Sequence, residues 1–305
     1  MVRNFNEIIA SAQEKEKIRV VVAAAEDESV LQGVHKAKRL NLIEPMLVGD
    51  KGKIEDIIDE HGLDLIGAEI HDIKDKTQAC YKSIELALAG EAEAIMKGNI
   101  DSGGFLRTVL NRKSGLRTER LVSNISLLED PKAERILYLT DVVVNIKPNL
   151  DEKVKLIENA VEFVKVMGIP RPKVAALSAV ELISPHIPST IDAACLSKMS
   201  ERGQIKDAIV DGPFALDNVF SLEAAQKKGI KSPLLGGADI LLAPNIETAN
   251  AIYKLLVYLA NYKGFGVFVG TKVQTIQLPR ESSPEAKLCG IATSILMLHD
   301  MKRDA

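Results

Sequence analysis

The stretch Ile18–Ala25, with the sequence IRVVVAAA, decides the fold class of this 305-residue chain. It is apolar at almost every position, which predicts a strand buried on both faces of a sheet. The next segment, Val30–Leu40, carries its apolar residues at helical spacing and predicts an amphipathic helix. A buried strand followed by a helix that covers it is the repeating unit of a parallel sheet.

The same alternation of short β-branched runs and helix-length amphipathic stretches continues along most of the chain. It predicts an α/β fold in which mostly parallel sheets are flanked by helices. One local exception is the pair of strand-like runs NISLL and RILYLTD, which a turn rather than a helix separates between Ser123 and Asp141. This exception predicts an antiparallel pair near a domain boundary.

The chain is long enough for one large domain or two ordinary ones, and the alternation favours two. We predict that residues 1–145 and 284–305 form the first α/β domain and that residues 146–283 form the second. The last segment, Pro284–His299, has an apolar face, so we expect this helix to return and pack on the first domain.

Charge and aromatic content argue against a surface for nucleic acid. The chain has 39 Lys and Arg against 42 Asp and Glu, for a formal charge of −3, and its basic residues are spread along the sequence. Aromatic residues make up 4% and Trp is absent, which removes the stacking platforms that bind single strands.

The three cysteines, Cys80, Cys195 and Cys289, are far apart and odd in number. They form neither a disulfide framework nor a C-x-x-C metal pattern, which is typical of a reducing compartment. The sequence also shows no signal-peptide core and no apolar run of membrane-spanning length. We therefore expect a cytoplasmic protein without a membrane partner.

Several nucleotide-binding and hydrolase motifs are missing. The sequence contains no G-x-x-x-x-G-K-[ST], no G-x-G-x-x-G after a predicted strand and no G-x-S-x-G. Its five histidines lack the spacing of metal ligands, so we expect no metal site. Gly264, Gly266 and Gly270 flank a strand-like run, and we favour turns at these glycines over a phosphate cradle.

A candidate anion site lies in the segment from 278 to 285, LPRESSPE, which joins an extended run to a helix. Ser283 is placed as the N-cap, Pro284 as the first helical residue and Glu285 in the first turn. Free backbone N–H groups and the helix dipole favour phosphate there, and Arg280 can add a bidentate contact. The alternative is ordinary helix capping with an exposed arginine.

Three other segments place polar residues where a predicted strand ends, which is where open α/β sheets bind ligands. Lys97 can pair with phosphate and Gly98 lets the backbone approach it, although a plain turn fits equally well. Asp211 puts a carboxylate at the same edge. Asn245 and Glu247 lie between a buried strand and a helix, where the alternative is that they cap the helix.

These segments, in this order, resemble the phosphate acetyl/butyryl transferase family, and its butyryl branch most of all. The resemblance covers essentially the whole chain. It is carried by MKGNIDSGGFLRTVLNRKSGLRT from 96, IPSTIDAACLSKMSERGQIK from 187, IVDGPFALD from 209, ADILLAPNIETANAIYK from 238 and SPEAKLCGIA from 283.

The resemblance implies transfer of an acyl group between coenzyme A and inorganic phosphate, with no metal in the chemical step. It also implies a two-domain fold similar to isocitrate and isopropylmalate dehydrogenases, an active-site cleft between the domains, and homodimers or larger assemblies built on the second domain. The partners expected are acyl-CoA, inorganic phosphate and a second copy of the chain.

Matching the motifs residue by residue, the resemblance assigns phosphate binding to Arg280. Glu285 falls in the region where acetyl-specific relatives carry an acidic residue, which suggests a general base. The catalytic residues implied are Arg280, Ser283, Glu285, Asp211 and Asn245, and those implied for binding coenzyme A are Lys97, Gly98, Arg107, Glu247 and Ser282.

The sequence departs from the family at one position that bears on activity. The family usually reads Thr-Ser-Arg-Ala-Asp-Ser, whereas this chain reads Leu-Pro-Arg-Glu-Ser-Ser from Leu278, so Pro279 replaces the Ser associated with the CoA thiol. A proline has no hydroxyl and no backbone donor.

Our first hypothesis is a phosphate acyltransferase that prefers a short chain such as butyryl. The alternative is a paralogue that binds CoA or acyl-CoA with weak or no turnover. A dehydrogenase sharing the fold would need a nucleotide site and clustered acidic ligands, and the sequence shows neither.

Overall fold

The computed structural model describes residues 1–279 and 282–301. The chain divides into two compact units. The first unit comprises Phe5–Val122 and Phe265–Ala305, and the second comprises Met1–Asn4 and Ser123–Gly264.

The strands of the first unit pair in parallel with one exception. Its strands are β1 (Ile18–Ala23), β2 (Ile43–Gly49), β3 (Glu69–Asp72), β4 (Ala94–Lys97), β10 (Lys263–Val269) and β11 (Gln274–Ile276). They follow the order β3-β2-β1-β4-β11-β10, and only β10 and β11 are antiparallel to each other. Because β1 is buried at every residue except Arg19, the quoted stretch forms the double-faced core strand that its composition predicts.

Six α-helices described in the first unit cover these strands. They are α1 (Phe5–Gln13), α2 (Glu28–Arg39), α3 (Lys51–Glu60), α4 (Lys76–Leu88), α5 (Ser102–Val109) and, after a gap in sequence, α11 (Pro284–Met301), with a short 3-10 turn at Arg112–Ser114. An aspartate caps each of α2, α3, α4 and α5 by accepting a backbone N–H of the first turn. The last helix, α11, packs against α1, α2 and β11.

The strands of the second unit include one antiparallel pair and are otherwise parallel. Its strands are β5 (Ser123–Glu129), β6 (Ile136–Thr140), β7 (Lys173–Leu177), β8 (Ile209–Phe214) and β9 (Ile240–Leu242), in the order β5-β6-β9-β7-β8. The pairing of β5 with β6 confirms the predicted antiparallel pair. Its helices are α6 (Leu150–Val166), α7 (Pro188–Glu201), α8 (Leu216–Phe220), α9 (Leu222–Lys227) and α10 (Ile246–Lys254), which continues as a π-helical turn over Leu255–Leu259.

Both unit boundaries lie earlier in the chain than residues 145 and 283, where we expected the domains to change. Residues 123–145 belong to the second unit because β6 pairs with β9 of that sheet. Residues 265–283 belong to the first unit because β11 pairs with β4. These pairings join segments far apart in sequence, so local periodicity does not reveal them.

The predicted turns at two glycines are wrong, because Gly264 and Gly266 lie inside β10. A Cβ on Gly264 would come within 2.9 Å of the Val257 side chain and 3.1 Å of Leu128, so the glycine permits close packing rather than a turn. Gly270, with φ of +91°, does make a turn.

The predicted α/β class, with mostly parallel sheets flanked by helices, is confirmed. Within residues 1–279 and 282–301, no helix combines the length and hydropathy needed to cross a bilayer.

Candidate functional site

A cavity of about 740 Å³ lies in the second unit. It opens where β7 and β9 end, and the N-terminal ends of α6, α7 and α10 surround it. This is the edge of a parallel sheet where ligands bind in α/β proteins, and the volume is in the usual range for a small-molecule pocket. The polar residues lining it are Lys147, Asn149, Lys153, Ser178, Ser189, Asp192, Asn245 and Thr248.

Asn245, one of the predicted site residues, lines this cavity and also caps α10. Its Oδ1 accepts a hydrogen bond from the Thr248 amide at 2.9 Å. Capping does not use the amide nitrogen of the same side chain, which is a hydrogen-bond donor. Both interpretations of Asn245, as a cap and as a cavity residue, therefore hold together.

The starts of the other two cavity helices differ from each other. Asn149 caps α6 in a reciprocal capping box with Glu152. The N-cap of α7 is Ile187, which makes no side-chain capping bond, and Pro188 follows as its first residue. The Ser189 hydroxyl, also in the first turn of α7, lies 2.8 Å from the Ser178 hydroxyl at the end of β7.

An ion pair that sequence reasoning missed joins two of the cavity helices. The Lys153 ammonium on α6 donates to Asp192 Oδ2 on α7 at 2.6 Å, and the lysine side chain is only 6% exposed. A lysine four residues into a helix carries no local signal of burial, so the sequence offered no reason to select it.

Asp211 lies in β8 and is not among the residues that line the cavity. Its Oδ1 accepts hydrogen bonds from the Gly212 amide at 2.8 Å and the Ser197 hydroxyl at 3.0 Å. Its Oδ2 accepts one from the Ser232 hydroxyl at 2.5 Å. The carboxylate thus ties β8 to α7 and to a later loop. Glu247 is exposed in the first turn of α10, where its negative charge interacts favourably with the helix dipole.

In the first unit, Lys97 and Gly98 lie at the carboxyl end of β4 as predicted. Lys97 is 4% exposed, and its ammonium lies 3.3 Å from the Gly98 carbonyl oxygen. A Cβ on Gly98 would come within 2.1 Å of the Ala24 carbonyl oxygen. The glycine therefore lets the end of β4 pass directly against the end of β1. The Asn99 side-chain amide donates to the Glu26 carbonyl oxygen at 2.9 Å and joins the same strand ends.

Arg107 is an exposed residue in the last turn of α5. Its guanidinium lies beside Gly103 at the start of that helix, where a Cβ would be 3.5 Å from Nη1. The guanidinium of Arg107 therefore lies near the N-terminal turn of α5.

Arg280, the predicted phosphate ligand, lies outside the described residues together with Glu281. On either side of them, the Ser282 amide donates to the Pro279 carbonyl oxygen at 3.1 Å. This bond uses a backbone donor that we had expected to be available to an anion. Ser283 Oγ accepts from the Ala286 amide at 3.2 Å, which confirms Ser283 as the cap of α11.

Glu285, the predicted general base, forms an ion pair with Lys36 of α2. The hydrogen bond from the Lys36 ammonium lowers the pKa of the Glu285 carboxyl below its ordinary value, and backbone bonding in the first turn of α11 lowers it further. A carboxylate with a lowered pKa is a poorer proton acceptor. The geometry around Glu285 therefore fits a structural ion pair better than a general base.

Two buried charged residues of the first unit were also missed. Lys287 is 2% exposed, and its ammonium donates to Ser29 Oγ and to the Ser282 carbonyl oxygen. Glu26 is 7% exposed, and its Oε2 has no hydrogen-bond partner among the described residues. For Lys287 a signal existed, because it is in phase with Ile291 and the rest of the buried stripe of α11.

In the part of the chain that the structure describes, no three His, Cys, Asp or Glu side chains are grouped so that they could hold a metal ion.

Comparison with known proteins gives matches over nearly the whole chain. The family model for phosphate acetyl/butaryl transferase matches residues 4–82 and 76–288. Phosphate butyryltransferase of Clostridium acetobutylicum is 44% identical, over 97% of this chain and 99% of that protein. Phosphate acetyltransferase of Thermotoga maritima is 42% identical, over 95% and 98%. The crystal structure of a branched-chain phosphotransacylase from Enterococcus faecalis superposes with a TM-score of 0.79 at 28% identity, covering 92% of this chain and 99% of that one. The chain therefore belongs to the phosphate acetyl/butaryl transferase family.

Proposed function

We propose that this chain is a phosphate acyltransferase that moves a short acyl group, butyryl in preference, reversibly between coenzyme A and inorganic phosphate. The observation that carries the proposal is similarity over the full length to relatives named phosphate butyryltransferase, at 43–44% identity. The second-unit cavity supports it, because its mixed apolar and hydrogen-bonding lining suits part of an acyl-CoA.

In the proposed reaction, a phosphate oxygen attacks the thioester carbonyl of acyl-CoA and a tetrahedral oxyanion forms. The carbon–sulfur bond then breaks, releasing acyl phosphate and the CoA thiolate. Positioning of the two substrates and stabilisation of charge would supply most of the rate enhancement. Asn245 offers an amide donor for a substrate oxygen, and Arg280 remains the predicted phosphate ligand by resemblance.

The other role assignments are proposals of the same kind. Lys97 and Arg107 carry positive charges near the carboxyl end of β4, which suits the phosphates of coenzyme A. Gly98, Ser282 and Glu247 complete the proposed coenzyme A set. Ser283, Glu285 and Asp211 complete the proposed catalytic set, although the structure shows each of them in a structural hydrogen bond or ion pair.

Pro279 takes part in one described hydrogen bond. Its carbonyl oxygen accepts from the Ser282 amide, and proline retains that acceptor. The serine hydroxyl that the resemblance associates with the CoA thiol is absent at this position.

Several finer expectations stay predictions. They are a cytoplasmic location, a homodimer built on the second domain, a dehydrogenase-like fold with a cleft between domains, and chemistry without a metal.

The test is thiol release from butyryl-CoA, measured with a thiol reagent with and without inorganic phosphate, beside acetyl-CoA and a branched acyl-CoA. We expect release that depends on phosphate and is fastest with butyryl-CoA. A Cys195→Ser variant serves as a background control, since Cys195 is the half-exposed cysteine of the chain. Binding of CoA with no phosphate-dependent release from any of the three would contradict the proposal and favour a paralogue without turnover.

Replacing Arg280 tests the phosphate assignment. We expect Arg280→Ala to lower kcat/KM for phosphate by an amount equivalent to about 2–4 kcal/mol of transition-state stabilisation. Arg202→Ala, at an exposed position at the end of α7, is the matched control and should leave phosphate kinetics unchanged. Equal phosphate kinetics in the two variants would remove Arg280 from the site.

A further inference from the structure

The buried lysine at the start of α11 is placed where a positive charge is unfavourable. Lys287 is the fourth residue of α11 and 2% exposed. The N-terminal turn of a helix carries partial positive charge, so an ammonium there is repelled by the helix dipole as well as desolvated. An apolar residue at this position would continue the buried stripe formed by Leu288 and Ile291. Packing alone therefore does not account for a lysine.

The neighbouring helix provides space for this side chain. A Cβ on Gly33 of α2 would lie 2.8 Å from Lys287 Cβ and 3.2 Å from the Pro284 carbonyl oxygen. A contact of 2.8 Å is shorter than real Cβ atoms make, so α2 approaches the first turn of α11 this closely because residue 33 is glycine. The Lys287 stem is consequently held between the two helices.

The ammonium of Lys287 joins two segments through hydrogen bonds. It donates to the Ser282 carbonyl oxygen at 2.8 Å and to the Ser29 hydroxyl. The Ser29 hydroxyl in turn donates at 3.1 Å to Asp27, whose carboxylate caps α2. Lys287 thereby connects the backbone that enters α11 to the capped start of α2.

We propose that Lys287 is a positioning residue for phosphate, which holds the backbone at Ser282 and Ser283 in the conformation that receives the anion. This inference rests on the proposed function. It assigns the peptide group between Ser282 and Ser283 to inorganic phosphate and leaves the Ser282 side chain as the proposed coenzyme A contact. The Lys287 ammonium fixes the position of the Ser282 carbonyl oxygen by a hydrogen bond, so the backbone of Ser282 and Ser283 keeps the same geometry in every catalytic cycle. Hydrogen bonds must compensate a buried ammonium for its lost hydration. The bonds from Lys287 to Ser282 and Ser29 are therefore costly to break, which makes this connection rigid.

The test compares Lys287→Met with Thr293→Val, a buried substitution two turns further along the same helix. Thr293 donates to the Cys289 carbonyl within α11 and contacts nothing at the helix start in the described bonds. We expect Lys287→Met to raise the KM for phosphate at least tenfold while the KM for butyryl-CoA stays within twofold. Thr293→Val should leave both KM values within twofold, even where it lowers the melting temperature.

A second variant keeps the test decisive where Lys287→Met does not fold. Ser29→Ala removes one hydrogen-bond partner of the ammonium and leaves the lysine in place, and we expect a threefold to fivefold rise in the KM for phosphate alone. A phosphate KM within twofold of the wild type in the folded variants, or an equal rise in both KM values, would overturn the proposal. Failure of the proposed function is distinguishable, because the unaltered protein would then release no thiol in response to phosphate.

Discussion

At the scale of single residues, Gly98 is the predicted site residue whose role the structure defines most sharply. We expect Gly98→Ala to lower the free energy of unfolding by about 1–3 kcal/mol, because its Cβ would lie 2.1 Å from the Ala24 carbonyl oxygen and the strand ends would have to separate. Chemical denaturation measures the change. Activity should fall with it, since Lys97 is the neighbouring residue.

Gly52→Ala is the control for this prediction. Gly52 lies inside α3, and the nearest atom to its Cβ would be 3.7 Å away, so alanine fits without strain. It should stabilise the helix by up to about 1 kcal/mol. Similar losses of stability in both variants would show that the close approach at Gly98 is not the cause.

The pair between Lys36 and Glu285 predicts a weak dependence of stability on pH. Because the folded-state pKa of Glu285 lies below its ordinary 4.5, the pair stabilises the protein above that pH and loses its effect as the pH falls through the lowered value. Glu285 is mostly exposed, so the contribution at neutral pH should be less than about 1 kcal/mol. A comparison of Lys36→Met with the unaltered chain from pH 7 to pH 3 measures it, and a difference that grows on acidification would contradict the assignment.

At the scale of elements, the pair between Lys153 and Asp192 holds α6 to α7 beside the cavity. We expect Lys153→Met to lower the free energy of unfolding by about 1–3 kcal/mol, less than for a fully buried pair because Asp192 is 29% exposed and can be hydrated. Urea denaturation measures the loss.

The double variant Lys153→Met with Asp192→Asn is the control, since it leaves no unpaired charge at the cavity wall. It should recover part of the lost stability. Additive losses in the double variant would mean that the two side chains do not interact energetically.

At the scale of the whole molecule, the first unit is built from two separate parts of the chain. Removing residues 284–305 should abolish cooperative folding of this unit, because α11 buries Ile291, Ala292 and Ile295 completely against it. Cys80 reports the change, since burial raises the pKa of its thiol to about 12 and keeps it unreactive in the intact protein.

Thiol labelling followed by mass spectrometry gives the readout. We expect Cys80 to be protected in the full chain and labelled in the truncated one, whereas labelling of Cys195 in the second unit should change little. Continued protection of Cys80 after truncation would show that the first unit folds without α11.

Features that depend on neighbouring residues could be predicted from the amino-acid sequence alone. The alternation that begins with Ile18–Ala25 predicts the α/β class, and the side chain of Ser283 predicts the cap of α11, because strand burial and helix capping are local effects. The motifs also place the chain in its family, which the comparisons confirm.

Packing between elements sets which distant segments share a unit and which charges are buried. The placement of β11 beside β4, the pair between Lys153 and Asp192, and the anchoring of Ser282 by Lys287 all join residues brought together by packing. Burial of a lysine depends on the space left by other elements, such as that at Gly33, and this space has no signature in the lysine's own neighbourhood. For the same reason, the family resemblance suggests Glu285 as a general base, whereas in the fold it forms an ion pair with Lys36.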